Sequence, residues 1–188
     1  MVRYADDFAC CFQYENEAER FYQQLQERLS KFGLKIAENK TSIIEFVRYA
    51  YANRQKQGLG KPATFNFLGF THYCGRSRAG KFRVKRKTEK RKYWGALARV
   101  KDWLKQNRHL PIHDIWKGVR IRLLGHYHYY GITDNSPMLS KFHNWVTWLM
   151  FKWANRRSQR NSYTWENFKM FLRINPLPAP KVYVSIIQ

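Results

Sequence analysis

Asp6 and Asp7 stand side by side in the stretch Val2-Arg3-Tyr4-Ala5-Asp6-Asp7-Phe8, between two short apolar runs, Val2 to Tyr4 and Phe8 to Phe12. Those runs are β-branched and aromatic around a polar centre, and they read as a β-hairpin with carboxylates at its turn. Two like charges at one turn repel unless a cation neutralises them. A hard divalent ion is the natural candidate, because Mg²⁺ takes one or two carboxylates together with phosphates and water, an arrangement suited to phosphoryl transfer. Neighbouring side chains diverge along a strand, whereas a turn lets both carboxylates face one site. Asp is also common in turns that hold no metal, so on these residues alone both readings stand. Other metal-ligand signals are weak. Cys10, Cys11 and Cys74 form neither a C-x-x-C pair nor an even disulfide set, and His126, His128 and His143 lack ligand spacing.

The elements that must position this pair follow at once. Asn16 with Glu19 reads as a capping box, and Ala18, Phe21, Tyr22, Leu25, Leu29 and Phe32 recur at helical spacing until Gly33, predicting an amphipathic helix. Leu34 to Ile36 and Ser42 to Val47 read as strands about an Asn39-Lys40-Thr41 turn, and Ala52 to Ala63 as a polar loop. Thr64 to Tyr73, with Phe65, Phe67, Leu68 and Phe70, reads as a strand or hairpin in which Gly69 permits close backbone approach.

From Trp94 onward the period is 3.6. Trp94, Leu97, Val100 or Lys101, and Leu104 mark a first helix, and Ile112, Ile115, Trp116, Val119, Leu123 and Tyr127 mark a second after Pro111. Leu139, Phe142, Val146, Leu149, Met150 and Trp153 mark a third after an N-cap at Ser136. On this pattern Trp94 and Trp116 belong to the core. A short helix from Trp165 to Leu172 follows, and Val182 to Ile187 reads as a strand or pairing edge.

Charge divides the chain more sharply than hydropathy does. Of 35 Lys and Arg and 13 Asp and Glu, residues 1–77 hold 11 and 8, a net of +3, and residues 78–188 hold 24 and 5, a net of +19. Lys81, Arg83, Lys85, Arg86, Lys87, Lys90, Arg91 and Lys92 crowd one stretch in which the alternating acids of a merely soluble surface are almost absent. Such an excess points to a polyanionic partner. No window offers the roughly 18 uncharged apolar residues of a membrane span, and aromatic content of 17% argues against a disordered chain.

Taken with their neighbours, these residues resemble a known family. Tyr4-Ala5-Asp6-Asp7 resembles the catalytic hairpin of reverse transcriptases, with Ala5 as in the group II intron and non-LTR branch. Gly33-Leu34-Lys35-Ile36-Ala37-Glu38-Asn39-Lys40-Thr41 is similar to the family's next block, and Phe67-Leu68-Gly69-Phe70 to its primer grip. Arg122 to Tyr127, Tyr129 to Ile132 with Asn135, Trp153 to Ser158 and Trp165 to Phe168 resemble, in order, the thumb and maturase region of group II intron proteins. The resemblance spans essentially all 188 residues.

It implies an α+β chain: a partial palm over residues 1–77, with a hairpin, a helix and short antiparallel strands, then an all-α thumb and maturase bundle over residues 78–188. It implies Asp6 and Asp7 as Mg²⁺ ligands and Lys40 as the charge or proton donor beside departing pyrophosphate. Phe67, Leu68 and Gly69 would hold the primer end. Lys85, Arg86, Lys87, Lys90 and Arg91, expected on a thumb helix, would follow the backbone of an RNA–DNA duplex, with Arg156 and Arg157 as a second basic set. The implied partners are structured intron RNA and a separate fingers and palm polypeptide. The latter follows because the family's palm carries a further carboxylate upstream of the hairpin and Met1 stands three residues before Tyr4. The expectation is a chain that assists splicing and retrohoming in an intracellular ribonucleoprotein, bacterial or organellar, without making DNA by itself. The alternative is a stand-alone RNA-binding maturase-like module without catalysis.

Overall fold

A computed structural model describes residues 1–77, 79–156 and 163–185. Strands β1 (Val2–Tyr4) and β2 (Asp7–Ala9) form the expected hairpin, with Tyr4 opposite Asp7. Helix α1 (Glu15–Ser30) follows, but it starts at Tyr14 without a side-chain cap, so the Asn16–Glu19 capping box does not form. None of the α1 residues is buried.

Residues 34–36 and 42–47 join no sheet, contrary to the expectation of strands; Glu38–Lys40 is a single 3₁₀ turn that Thr41 Oγ1 closes by donating to the Ala37 carbonyl at 3.1 Å. An extended segment becomes a strand only beside a partner that takes its backbone hydrogen bonds. Here the segment lies over a sheet face. Phe46 meets Phe65 edge to face at 5.1 Å, and the Val47 carbonyl lies 4.0 Å from the Cys74 thiol. The expected loop opens with a short helix, α2 (Ala50–Lys56).

Strands β3 (Thr64–Phe67), β4 (Phe70–Arg76) and β5 (Phe82–Thr88) form an antiparallel meander. The division drawn between residues 77 and 78 falls in the β4–β5 connection, so the sheet draws on both sides of it. Helices α3 (Lys90–Gln106), α4 (Ile112–Tyr130) and α5 (Ser136–Ala154) are joined by short connections and share one core, with Leu104, Ile115, Val119, Leu123, Leu139 and Val146 fully buried. Asn135, not Ser136, is the α5 cap residue. Tyr93 takes the core position expected for Trp94, because 93, 96, 97, 100 and 104 form the better helical line; Trp94 is 51% exposed. Helix α6 (Trp165–Ile174) begins at Thr164, whose side chain accepts the Asn167 N–H, and buries Phe168 against α5. Beyond it, in the stretch Val182 to Ile187 expected as a strand or pairing edge, Val184 makes one parallel bridge to Ile132, and Ile186 and Ile187 lie outside the described residues.

Candidate nucleic-acid interface

Ala5 and Asp6 are the two-residue turn of the first hairpin, and Asp7 opens β2. Ala5 sits at φ 51°, a left-handed conformation costing a non-glycine residue about 1 kcal/mol. Arg3 Nε steadies the turn by donating to the Ala5 carbonyl at 2.8 Å. Both carboxylates are exposed, and neither is ion-paired among the described residues. This donor set fits a cation that keeps most of its water and takes phosphate oxygens as further ligands. It does not fit a closed cage, since no three His, Cys, Asp or Glu side chains gather to hold a metal among the described residues. Lys40 ends the 3₁₀ turn, exposed, with no hydrogen bond or ion pair to either aspartate.

The second hairpin is more strongly fixed. Leu68 at φ 49° and Gly69 at φ 74° both lie in the left-handed region, as a two-residue hairpin turn with Phe67 opposite Phe70 requires. Leucine rarely accepts this conformation. The helical region holds it there: Tyr129 Oη donates to the Leu68 carbonyl at 3.1 Å, and the Glu89 N–H donates to the Gly69 carbonyl at 2.9 Å. A Cβ on Gly69 would lie 3.2 Å from Tyr130 Oη, and Phe70 stacks on Tyr129 with centroids 6.1 Å apart. The Phe67-Leu68-Gly69 turn is thus seated on the end of α4.

Lys85, Arg86 and Lys87 do not lie on a helix. They belong to β5, whose ladder with β4 imposes a period of two. Arg83, Lys85 and Lys87 therefore share one face, and Arg86 points to the other, opposite His72. Burial and the nearby Arg86 charge lower the His72 pKa. On the basic face Arg83 pairs with Asp134 at 3.0 Å, Lys87 Nζ stands 5.4 Å from the Tyr73 ring centroid, and the Lys85 stem lies over Gly75. Lys90 and Arg91 occupy the first turn of α3, which has no acidic residue. Cations at a helix's positive pole are unfavourable by roughly 0.3–1 kcal/mol each, a cost that a bound anion would relieve. Arg156 follows α5, with its guanidinium 5.5 Å from the Trp153 ring centroid; Arg157 lies outside the described residues.

Asn135, met in the sequence only as part of a resemblance, sets the position of β5 in a way the sequence did not reveal. In the loop between α4 and α5, fully buried Asn135 accepts from the Thr88 N–H at 2.8 Å through Oδ1. Its Nδ2 donates to Thr88 Oγ1 at 2.9 Å and to the Tyr130 carbonyl at 2.8 Å. Asp134, at φ 73°, holds Arg83, and the Gly131 carbonyl accepts from the Tyr183 and Val184 N–H groups. The available signal was a polar Thr-Asp-Asn run after a glycine between two apolar helices.

Two titratable groups lie behind this surface. His126 is stacked on Phe142 at 3.6 Å, and burial, with Arg99 nearby, lowers its pKa to about 4. Tyr127 Oη is 2.9 Å from His143 Nδ1, and burial raises the tyrosine's pKa and lowers the histidine's.

The family model for reverse transcriptase (RNA-dependent DNA polymerase) matches residues 1–72, and that for the group II intron maturase-specific domain matches residues 95–171. No curated protein and no solved structure matches the chain.

Proposed function

Because this chain belongs to the family of group II intron reverse transcriptases and maturases, we propose that it binds structured intron RNA and an RNA–DNA duplex along the basic face of β5 and the first turn of α3. The observation that carries this reading is the rigid display of Lys85 and Lys87. The strand bearing them is tied to the helical core by Asn135 and Asp134, and neither lysine has an ion-pair partner among the described residues. A fixed row of cations contacts successive phosphates without reading bases, which suits a thumb region that must hold any sequence. No helix among the described residues is long and apolar enough to cross a membrane. On this reading the site of action is a ribonucleoprotein in a bacterial cytoplasm or an organelle, where binding assists splicing and retrohoming.

Asp6 and Asp7 would hold Mg²⁺, which when bound would screen nucleotide phosphates and polarise their oxygens. The part played by the chain's own residues is to present two carboxylates on a strained turn and to seat the Phe67-Leu68-Gly69 turn where a primer end is gripped. Among the described residues no third acidic group joins these two carboxylates, and two alone do not build a two-metal polymerase site. DNA synthesis on this reading therefore needs a further carboxylate from a fingers and palm segment or polypeptide.

RNA affinity measured against salt tests the binding. The Lys85→Ala, Lys87→Ala double variant should bind more weakly to all sequences alike and flatten the log–log salt slope by about 2. A wild-type slope near zero would refute the reading. Asp6→Asn with Asp7→Asn should leave RNA affinity unchanged and abolish any synthesis restored by a separate fingers and palm chain.

A further inference from the structure

We propose that Trp94, Trp145 and Trp148 form a platform on which the unpaired bases of a single nucleic-acid strand stack. The proposal rests on the nucleic-acid reading above but concerns other side chains and a different form of the ligand. The three side chains are 51%, 45% and 43% exposed. Their rings run in a row across α3 and α5, with Trp94 6.5 Å from Trp145 and Trp145 5.6 Å from Trp148, at interplanar angles of 62° and 87°. At those angles the rings do not stack on one another.

Three of the chain's four other tryptophans show what occupied indoles look like, and the fourth, Trp165, is 37% exposed with its ring stacked on Phe168. Trp153 is buried, Trp116 Nε1 donates to the Asn175 carbonyl at 2.9 Å, and Trp103 is covered by the Arg122 guanidinium at 3.9 Å. The indole N–H groups of Trp94, Trp145 and Trp148 make no hydrogen bond among the described residues. Contiguous exposed rings of this size mark a binding surface.

Charge selects the occupant. Helix α5 contains no Asp or Glu, and α3 has none between Lys90 and Lys101. Lys141 shares the exposed stripe of α5 with Trp145 and Trp148, and Lys152 Nζ lies over one face of the Trp148 ring, 4.9 Å from its centroid, leaving the other face open to a base. The row continues into an open groove of about 540 Å³ lined by Trp148, Phe151, Lys152, Arg156 and Tyr163. Rings flanked only by cations fit a ligand that offers flat apolar faces on an anionic backbone. That describes a single strand, whose bases are free, and not a duplex, whose bases are stacked inside.

Anisotropy titrations of the full chain with a dodecamer of uridine, a dodecamer of thymidine and a blunt RNA duplex separate the possibilities. Trp145→Leu with Trp148→Leu keeps apolar area but removes the π-faces. Single-strand affinity should fall about tenfold to hundredfold, duplex affinity and salt slope should hold, and Phe at both positions should recover most of the loss. A loss on both oligomers supports stacking indifferent to the sugar, and a loss on uridine alone supports an RNA strand. An equal loss on duplex and single strand, or no loss on either, overturns the proposal. It is also overturned if wild type is dimeric by light scattering and Trp145→Ala is monomeric, which assigns the face to a second copy. A flat wild-type salt slope would instead sink the underlying binding reading.

Discussion

Helices α1 and α5 carry the same kind of apolar stripe and have opposite surroundings. On α5, Leu139, Phe142, Val146 and Met150 are at most 1% exposed; on α1, Phe21, Tyr22, Leu25 and Leu29 follow an equally regular line, and no residue of the helix is buried. Ala50 is the first buried residue of the chain, and most of the core lies between Tyr93 and Ala154. Amphipathic periodicity thus identifies the face a helix would bury and says nothing about whether a partner is present. The palm-like segment offers apolar surface without filling it, whereas the maturase-like segment is a finished core.

The contrast can be broken at its strongest point. Phe142→Ala should cost about 3–5 kcal/mol in urea unfolding, while Leu25→Ala should cost under about 0.5 kcal/mol. Comparable losses would mean that α1 is packed in solution. Asn135→Ala removes the partners of the Thr88 N–H and hydroxyl inside the fold and should cost about 2 kcal/mol. It should also weaken RNA binding by letting β5 shift, which no α1 substitution should do.

Acid should act on the helical core. The folded-state pKa of His126 lies below that of the unfolded chain, so below pH 6.5 the unfolded state takes up protons that the native state refuses. Stability is full above about pH 6.5 and falls towards pH 4, by up to about 1.4 kcal/mol per pH unit from this residue. His72 and His143 act in the same direction. Urea midpoints measured across that range check this, and His126→Phe should flatten the dependence. The smallest effect belongs to the seated turn. Leu68→Asn relieves the left-handed strain and should stabilise by about 0.5–1 kcal/mol in thermal unfolding.

How legible each part was follows the same division. The hairpins and the four later helices could be read because their periods are local and their partners lie within the chain. Residues 42–47 could not, since β-branched residues signal an extended backbone but not whether it pairs beside a sheet or lies across its face. Charge density carries no period, so it does not tell whether Lys85 to Lys87 lie on a helix or a strand; the alternation of Phe82, Val84 and Thr88 on one side is the usable sign of a strand. Of the site, residue identities were visible and geometry was not. Asp6 and Asp7 fall at a turn as expected, but the support of Leu68 by Tyr129 spans 61 residues. Spacing along the chain does not encode such a contact.

The Asn135 clasp has a consequence for the order of assembly. Thr88 meets Asn135 across 47 residues and Thr133 meets Val184 across 51, whereas each helix and each two-residue hairpin closes locally. Loop-closure entropy favours the local elements, so they form early and the clasp closes late. Substituting Asn135 should therefore accelerate unfolding and leave the refolding rate nearly unchanged in stopped-flow measurements. During synthesis the basic strand gains its anchor only after the ribosome has made the whole of α4, so the nucleic-acid face is completed after most of the core that supports it.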